Sequence, residues 1–590
     1  MPLDYRNINT LWTSILVETL KRLGLTTAII CPGSRSTPLT IAFAKNGYIE
    51  TISILDERSA SFFALGIAKR TRLPVALVCT SGTAAANFYP AVIEAKESGV
   101  PLLILTADRP PLLRNCRAGQ TIDQVKLYGH YPNWQLELAL PTADMEMLRY
   151  LRQNIIQAWE RSLFPFPGPV HLNLPFTEPL APIEVKDNST LKGLKEIEIS
   201  NEEEFFQGIE TTSRVRFTPT NISIPFQKWQ EEEKGIIIAG LCQSLADVDS
   251  YCKAIARLSQ CLKWPVLAEA LSPVRNYSKF NPYLISTYHF ILHNQELADK
   301  LVPKMVVQIG ELPTSKELRN WLNITKPQRW IIEPTASNFD PLHGPTIHLR
   351  TSVEELGKTI PNISLVGTSE YLQLWCDEEK KIRKKIDRKM KTTTHLYEGK
   401  VAWLLSQILP RRTPIFIANS MSVRYAEFFW VPGNTNIIPY FNRGANGIDG
   451  TLSTALGIAH RNKLPCVLLT GDLALLHDTN GFLLAKKFGP HFKGDLTIIL
   501  INNNGGGIFE FLPVSKFDSQ FDLLFENFFA TPQKVNFAKL CLTYDIEHHL
   551  ITSWHQLTKL LKGLKLTGVR VLELRTDRKK DASWLAYNML

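Results

Sequence analysis

Ten short apolar runs, each passing straight into turn or helix-start residues, constrain this chain more than any other feature in it. TTAIICPG, PVALVCTSG, PLLILTADRP, KGIIIAG, MVVQIGEL, RWIIEP, PIFIANS, CVLLTGD, TIILINNN and RVLELRTD are spread from residue 26 to residue 577, with helical periodicity between them. Runs of that length without polar alternation read as strands buried on both faces. Strands that alternate with helices predict right-handed βαβ units, parallel sheets and an α/β fold. In such folds ligands gather beyond the carboxyl ends of strands. At 590 residues the chain exceeds a single hydrophobic core, and three or four domains are expected.

Two composition shifts divide it. The first is a polar stretch from about Ile183 to Glu233, and the second is a charged helical segment ending near Thr394. They predict domains at 1–185, 186–394 and 395–590, each a mostly parallel sheet flanked by helices. The outer two carry a repeat. Residues 64–74 read ALGIAKRTRLP and residues 455–465 read ALGIAHRNKLP, identical at eight of eleven positions at a constant offset of 391. Each block leads into a strand, so a duplicated α/β unit is expected to flank a different central one, with the outer pair facing one another and sharing a site.

The remaining totals narrow the function classes. Hydrophobic residues make up 44% and charged residues 21%, which fits a globular protein. The nine cysteines form no C-x-x-C pair, which argues against a disulfide framework or a zinc site and fits a reducing compartment. Trp12, Ile15, Leu16, Thr19, Leu20 and Leu23 mark one face of an amphipathic helix rather than a signal peptide, and no apolar run approaches the roughly 18 residues of a membrane span. A cytoplasmic protein without membrane contact is expected. The net charge of +10 does not by itself indicate nucleic acid. The basic stretch Lys380–Lys391 carries Ile382, Ile386 and Met390 at helical spacing and reads as a solvated helix face, and small anionic substrates account for the charge as well.

Chemistry enters at Gly471. There GDLALLHDTNGFLLAKKF joins a strand to a second strand that ends in Asn502-Asn503-Asn504 before glycines. Asp472 and Asn503 therefore sit at the carboxyl ends of neighbouring strands. Magnesium, or manganese, takes oxygen ligands and keeps part of its shell for substrate phosphates. The Asp472 carboxylate, the Asn503 side-chain oxygen and the Gly505 carbonyl are the metal candidates. The glycines let backbone approach a diphosphate. In the front third, ISILDERSASFFALG places Glu57 between a strand and the first repeated helix, where an acid is otherwise a favourable helix-start residue.

The paired motifs match the thiamine-diphosphate signature, with Leu473 in place of its second glycine after Gly471. Across nearly its whole length the chain resembles the 2-succinyl-5-enolpyruvyl-6-hydroxy-3-cyclohexene-1-carboxylate synthase (MenD) family. The resemblance is carried by PGSRSTPLT, DERSASFFALG, TSGTAAANFYPAVIEA, LTADRPP, GQTIDQ, NSMSVR, NRGANGIDG and NNNGGGIFEFLP. Acetolactate synthases and pyruvate decarboxylases typically place His beside the activating glutamate, whereas this chain has Asp56 and Arg58. The resemblance implies a three-domain thiamine-diphosphate enzyme fold and a homodimer or homotetramer with cofactor sites at subunit interfaces. It also implies decarboxylation of 2-oxoglutarate and 1,4-addition of the succinyl carbanion to isochorismate, in menaquinone or phylloquinone biosynthesis. Glu57 becomes the group that activates the cofactor's aminopyrimidine, and Ile448 the wedge that bends the cofactor. Ile508 and Phe509 become pocket walls, while Ser34, Arg35, Arg109, Gln120, Lys316, Ser420, Arg424 and Arg443 form the substrate pocket. Guanidinium forks at strand ends suit two dicarboxylate substrates. His477, His548 and His549 are expected to be structural.

Overall fold

The structure, a computed structural model, describes residues 3–185, 202–209, 224–242, 247–360, 367–485, 492–516, 522–564 and 568–589. It holds three six-stranded sheets, parallel throughout. The first contains β1 (Thr27–Ile30), β2 (Glu50–Ser53), β3 (Val75–Cys79), β4 (Leu102–Asp108), β5 (Trp134–Glu137) and β6 (Pro169–Pro175), in the order β2-β1-β3-β4-β6-β5. The second contains β7 (Gly235–Ala239), β8 (Val266–Ala268), β9 (Leu284–Ile285), β10 (Met305–Ile309), β11 (Gln328–Ile332) and β12 (Thr346–Leu349), in the order β12-β11-β10-β7-β8-β9. The third contains β13 (Pro414–Ile417), β14 (Ile438–Tyr440), β15 (Cys466–Gly471), β16 (Leu496–Asn502), β17 (Glu547–Ile551) and β18 (Val569–Arg575), in the order β14-β13-β15-β16-β18-β17.

Counted within each sheet, the first and third share one strand order and the second has another. All ten expected strands are present. Their inner residues are buried because helices cover both faces of a parallel sheet. Most of the polar stretch at the first expected boundary, and part of the segment joining β15 to β16, lie outside the described residues.

The chain forms two compact units. One comprises Met1–Arg216, Asn442–His460 and Asp478–Lys493, and the other Phe217–Phe441, Arg461–His477 and Gly494–Leu590. In the first, the helix Ile8–Leu23 buries its expected face, and Asn7 caps it in a reciprocal box with Thr10. The two repeated helices, Glu57–Thr71 and Thr451–Ala459, cross in this unit at equivalent glycines. A Cβ on Gly66 would stand 2.1 Å from the Thr454 carbonyl oxygen and 3.0 Å from the Gly457 Cα. A Cβ on Gly457 would stand 2.1 Å from the Phe63 carbonyl oxygen and 3.0 Å from the Gly66 Cα. Phe63 and Thr454 are themselves a repeat pair, so the crossing is two-fold in character.

In the second unit the helix Glu370–Thr392 buries Ile386 and Met390 and turns its lysines outward, which matches the expected solvated face. No helix among the described residues is long and apolar enough to cross a membrane.

Candidate functional site

β15 and β16 pair with Gly471 opposite Ile501, so Asp472 and Asn503 leave adjacent strands at the same end. Asp472 is buried, and its two carboxylate oxygens accept from the backbone N–H groups of Leu473 at 2.9 Å and Gly505 at 2.8 Å. Burial pushes its carboxyl up to about 6, an effect that a cation at the same position would reverse. Asn503 donates from its amide nitrogen to Glu398 at 2.7 Å, while its side-chain oxygen is buried without a hydrogen-bond partner. A buried acceptor in that state is costly until something binds it.

The turn that follows is built from left-handed residues, Asn504 at φ 59° and Gly505 at φ 132°, and a Cβ on Gly505 would meet the Ala530 carbonyl oxygen at 2.3 Å. The Gly505 carbonyl accepts from the Gly507 N–H at 2.9 Å. Arg578 pins the turn by donating to the Asn504 carbonyl at 2.8 Å and to Glu510 at 2.9 Å. These donors fit a magnesium-type cation, with the Asp472 carboxylate after β15 and the Asn503 oxygen and Gly505 carbonyl on the turn after β16. Ile508 and Phe509 follow in the short helix Gly507–Phe511, both half-buried.

In the first unit, Asp56 caps the helix Glu57–Thr71 by accepting from the Ser59 N–H at 3.0 Å. Capping therefore falls to Asp56, and Glu57 is the half-buried residue beside it. The Glu57 carboxylate lies close enough that, after burial, it raises the Cys79 thiol. Gly450, at φ 63°, ends the loop that carries Ile448, and a Cβ there would stand 1.9 Å from the Phe62 ring on the Glu57 helix. Glu94 holds the start of the same loop. Its oxygens accept from the backbone N–H groups of Gly444 at 3.1 Å and Ala445 at 2.8 Å, immediately after Arg443, and Lys69 lies 3.5 Å away.

The other expected substrate residues of this unit follow β1 (Ser34 and Arg35) and β4 (Arg109 and Gln120), the strands on either side of β3. Arg35 is buried, donates to the Phe176 carbonyl at 3.0 Å, and has a buried Nε without a hydrogen-bond partner. Burial and then the Arg109 charge lower its guanidinium from the usual range, although Glu178 lies 3.4 Å from one terminal nitrogen, so two cations are held near each other with one carboxylate beside them. Arg109 donates twice to the Gly119 carbonyl, at 3.0 and 3.3 Å. Gln120, at φ 57°, donates to the Ser81 carbonyl at 2.9 Å, and Ser34 is exposed on the turn before Arg35. In the second unit Ser420 sits at φ 64° just ahead of the helix Met421–Phe429, and Arg424 donates to its carbonyl at 2.6 Å. Lys316 is exposed at the start of the helix Lys316–Thr325. His548 and His549 pair with Glu573 at 2.8 Å and Glu547 at 2.7 Å on an edge strand, which is a structural use, and His477 closes the short helix Asp472–Leu476.

Reading the sequence missed the supports. Glu398, Glu94 and Arg578 act on motif loops from 105, 350 and 74 residues away, and no local pattern marks them. Gln124 is different, because it closes the GQTIDQ segment. Buried, it accepts from the Gly82 N–H at 2.8 Å and donates to Ala107 and Asn173 at 3.2 and 3.0 Å, which ties the Gln120 loop to the sheet.

Residues 12–127 match the family described as "Thiamine pyrophosphate enzyme, N-terminal TPP binding domain", and residues 212–417 match "Middle domain of thiamine pyrophosphate". Three proteins named 2-succinyl-5-enolpyruvyl-6-hydroxy-3-cyclohexene-1-carboxylate synthase align over the full chain. That of Gloeothece citriformis is 64% identical over 100% of this chain and 99% of its own length. Those of a Nostoc species and of Trichormus variabilis are each 61% identical over 100% of this chain and 98% of theirs.

Proposed function

This chain belongs to the 2-succinyl-5-enolpyruvyl-6-hydroxy-3-cyclohexene-1-carboxylate synthase family of thiamine-diphosphate enzymes, and from that premise we propose which of its residues carry the family's reaction. The reaction is the decarboxylation of 2-oxoglutarate and the 1,4-addition of the resulting four-carbon unit to isochorismate. When bound, thiamine diphosphate supplies the nucleophilic carbon and the electron sink that decarboxylation of a 2-oxoacid requires.

The observation that carries the assignment is the Asn503 oxygen, buried without a hydrogen-bond partner at the end of the strand next to the one that leads into the buried Asp472. Asp472, Asn503 and the Gly505 carbonyl hold magnesium, or manganese, and through it the diphosphate. Gly471 and Leu473 flank that grip. Glu57 accepts and returns a proton at N1′ of the aminopyrimidine. Ile448 props the cofactor, and Ile508 and Phe509 keep water from the reacting carbon.

Two dicarboxylate substrates need several fixed cations. Arg35, Arg109, Arg424, Arg443 and Lys316 supply them, with Ser34, Gln120 and Ser420 as hydrogen-bonding partners. The arginine pair Arg35 and Arg109 supports this reading, because burial and then the Arg109 charge make the Arg35 guanidinium costlier to keep charged, a cost that a bound anion would relieve. Domain boundaries near residues 185 and 394, a homodimer or homotetramer with cofactor sites at subunit interfaces, and a cytoplasmic location complete the proposal.

Carbon dioxide release tests the substrate assignment. With cofactor and magnesium present, 2-oxoglutarate should be decarboxylated, and isochorismate should be consumed in step with it. Release from pyruvate at an equal rate, with isochorismate untouched, would overturn it.

A further inference from the structure

Two of the segments assigned to substrate leave different sheets of the second unit. Lys316 follows β10, while Ser420 and Arg424 follow β13. A cluster of buried charge that no proposed step uses connects them. Glu269, Arg275, Tyr288 and Glu427 are each exposed by 1% or less.

The contacts run in two directions from one strand end. Just after β8, Glu269 accepts from the Thr314 N–H at 2.6 Å and from the Thr314 hydroxyl at 2.8 Å, two residues before Lys316. The next residue, Ala270, donates its N–H at 2.7 Å to Glu427, on the helix that carries Arg424. Tyr288 donates to the other oxygen of Glu427.

Arg275 closes the circuit. Its Nε donates to the Ala268 carbonyl at 2.7 Å, and one terminal nitrogen reaches Glu427 at 3.1 Å. The other terminal nitrogen caps the end of the same helix at the carbonyls of Glu427 (2.9 Å) and Trp430 (3.4 Å). One buried guanidinium thus donates to the Glu427 carboxylate and to three backbone carbonyls, those of Ala268, Glu427 and Trp430. Charges buried this deeply add little net stability compared with an apolar core of equal volume, but their directional bonds fix geometry.

We propose that Glu269 and Glu427 are positioning residues, which bolt the Lys316 segment and the Arg424 helix to the end of β8 and so hold the two cations in fixed register for a dicarboxylate. The central sheet then shapes the substrate site without touching substrate. This rests on the assignment of Lys316 and Arg424 to substrate binding.

The test compares Glu427→Gln, Glu269→Gln and Arg424→Ala in the full-length protein with cofactor and magnesium. Hydrogen–deuterium exchange, dicarboxylate KM, cofactor affinity and melting temperature are the readouts. Glu427→Gln should quicken exchange in residues 311–317, which Glu427 does not touch, and Glu269→Gln should quicken it in residues 420–429. Each should raise the KM of at least one dicarboxylate by about tenfold, below the ~10²-fold that a full 1 Å misplacement can cost, with cofactor affinity unchanged. Exchange that changes only in the mutated residue's own segment, or an unmoved KM, would overturn the proposal. If Glu427→Gln does not fold, Tyr288→Phe removes a single hydroxyl and carries the same expectation on a smaller scale. An Arg424→Ala variant with normal KM for both dicarboxylates would sink the substrate assignment and this inference with it. A raised KM in Arg424→Ala beside normal values in both Glu→Gln variants would overturn the positioning role alone.

Discussion

Glu398 takes the amide nitrogen of Asn503 and leaves its side-chain oxygen buried without a hydrogen-bond partner, which is what suits it to the proposed metal. Asp472→Ala should therefore weaken magnesium and diphosphate binding together, whereas Arg424→Ala should raise a dicarboxylate KM with cofactor affinity unchanged. Titration of metal and cofactor, set beside steady-state kinetics, separates the two. Glu398→Leu should lower metal affinity by about 10–100-fold, as loss of an outer support does; unchanged affinity would show that Asn503 is oriented by something else. Asp472 and Asn503 were legible in the sequence because a strand-to-turn acid and an Asn/Gly turn recur at a set spacing. Glu398 was not, since one acid at the start of an apolar helix carries no local mark of its partner.

At the scale of elements, the crossing at Gly66 and Gly457 allows no side chain. Gly66→Val and Gly457→Val should each destabilise the protein by about 1–3 kcal/mol, the usual cost of overpacking. The double variant should cost less than the sum, because both act at one contact; denaturant melts would show full additivity if the crossing were not shared.

β6 tests a second device. His171, Thr106 and Asn173 form a buried hydrogen-bonded chain, and burial lowers His171 to about 3. The Thr106 hydroxyl proton goes to Asn173, so the His171 Nε2–H donates to Thr106 and the ring is neutral. The unfolded chain binds a proton near pH 6.5 that the folded one refuses until about 3. Stability should thus fall as pH drops from about 6.5 toward 3. His171→Gln should flatten that part of the melting-temperature profile, and an unchanged slope would rule His171 out. The same polar chain hid β6 from sequence reading, although it lies inside the sheet. The other strands outside those ten runs, β2, β5, β9, β12, β14 and β17 at sheet edges and the three-residue β8, are too short or too polar to register as buried runs. The ten that were read owe their clarity to burial on both faces.

For the whole molecule, the repeat at residues 64–74 and 455–465 pointed to duplication, and the shared strand order of the first and third sheets agrees with it. The central sheet, with its own order, was visible as strands, but its part in the site was not, because Glu269 and Arg275 act through burial that composition does not reveal. The claim on which the chemistry depends is that the Glu57 carboxylate moves a proton on the cofactor. The most direct measurement is a Glu57→Gln variant assayed twice, by thiamine-diphosphate titration with magnesium and by condensation of 2-oxoglutarate with isochorismate. Cofactor affinity close to wild type with turnover reduced by at least ~10²-fold is the predicted result. Turnover close to wild type would contradict it.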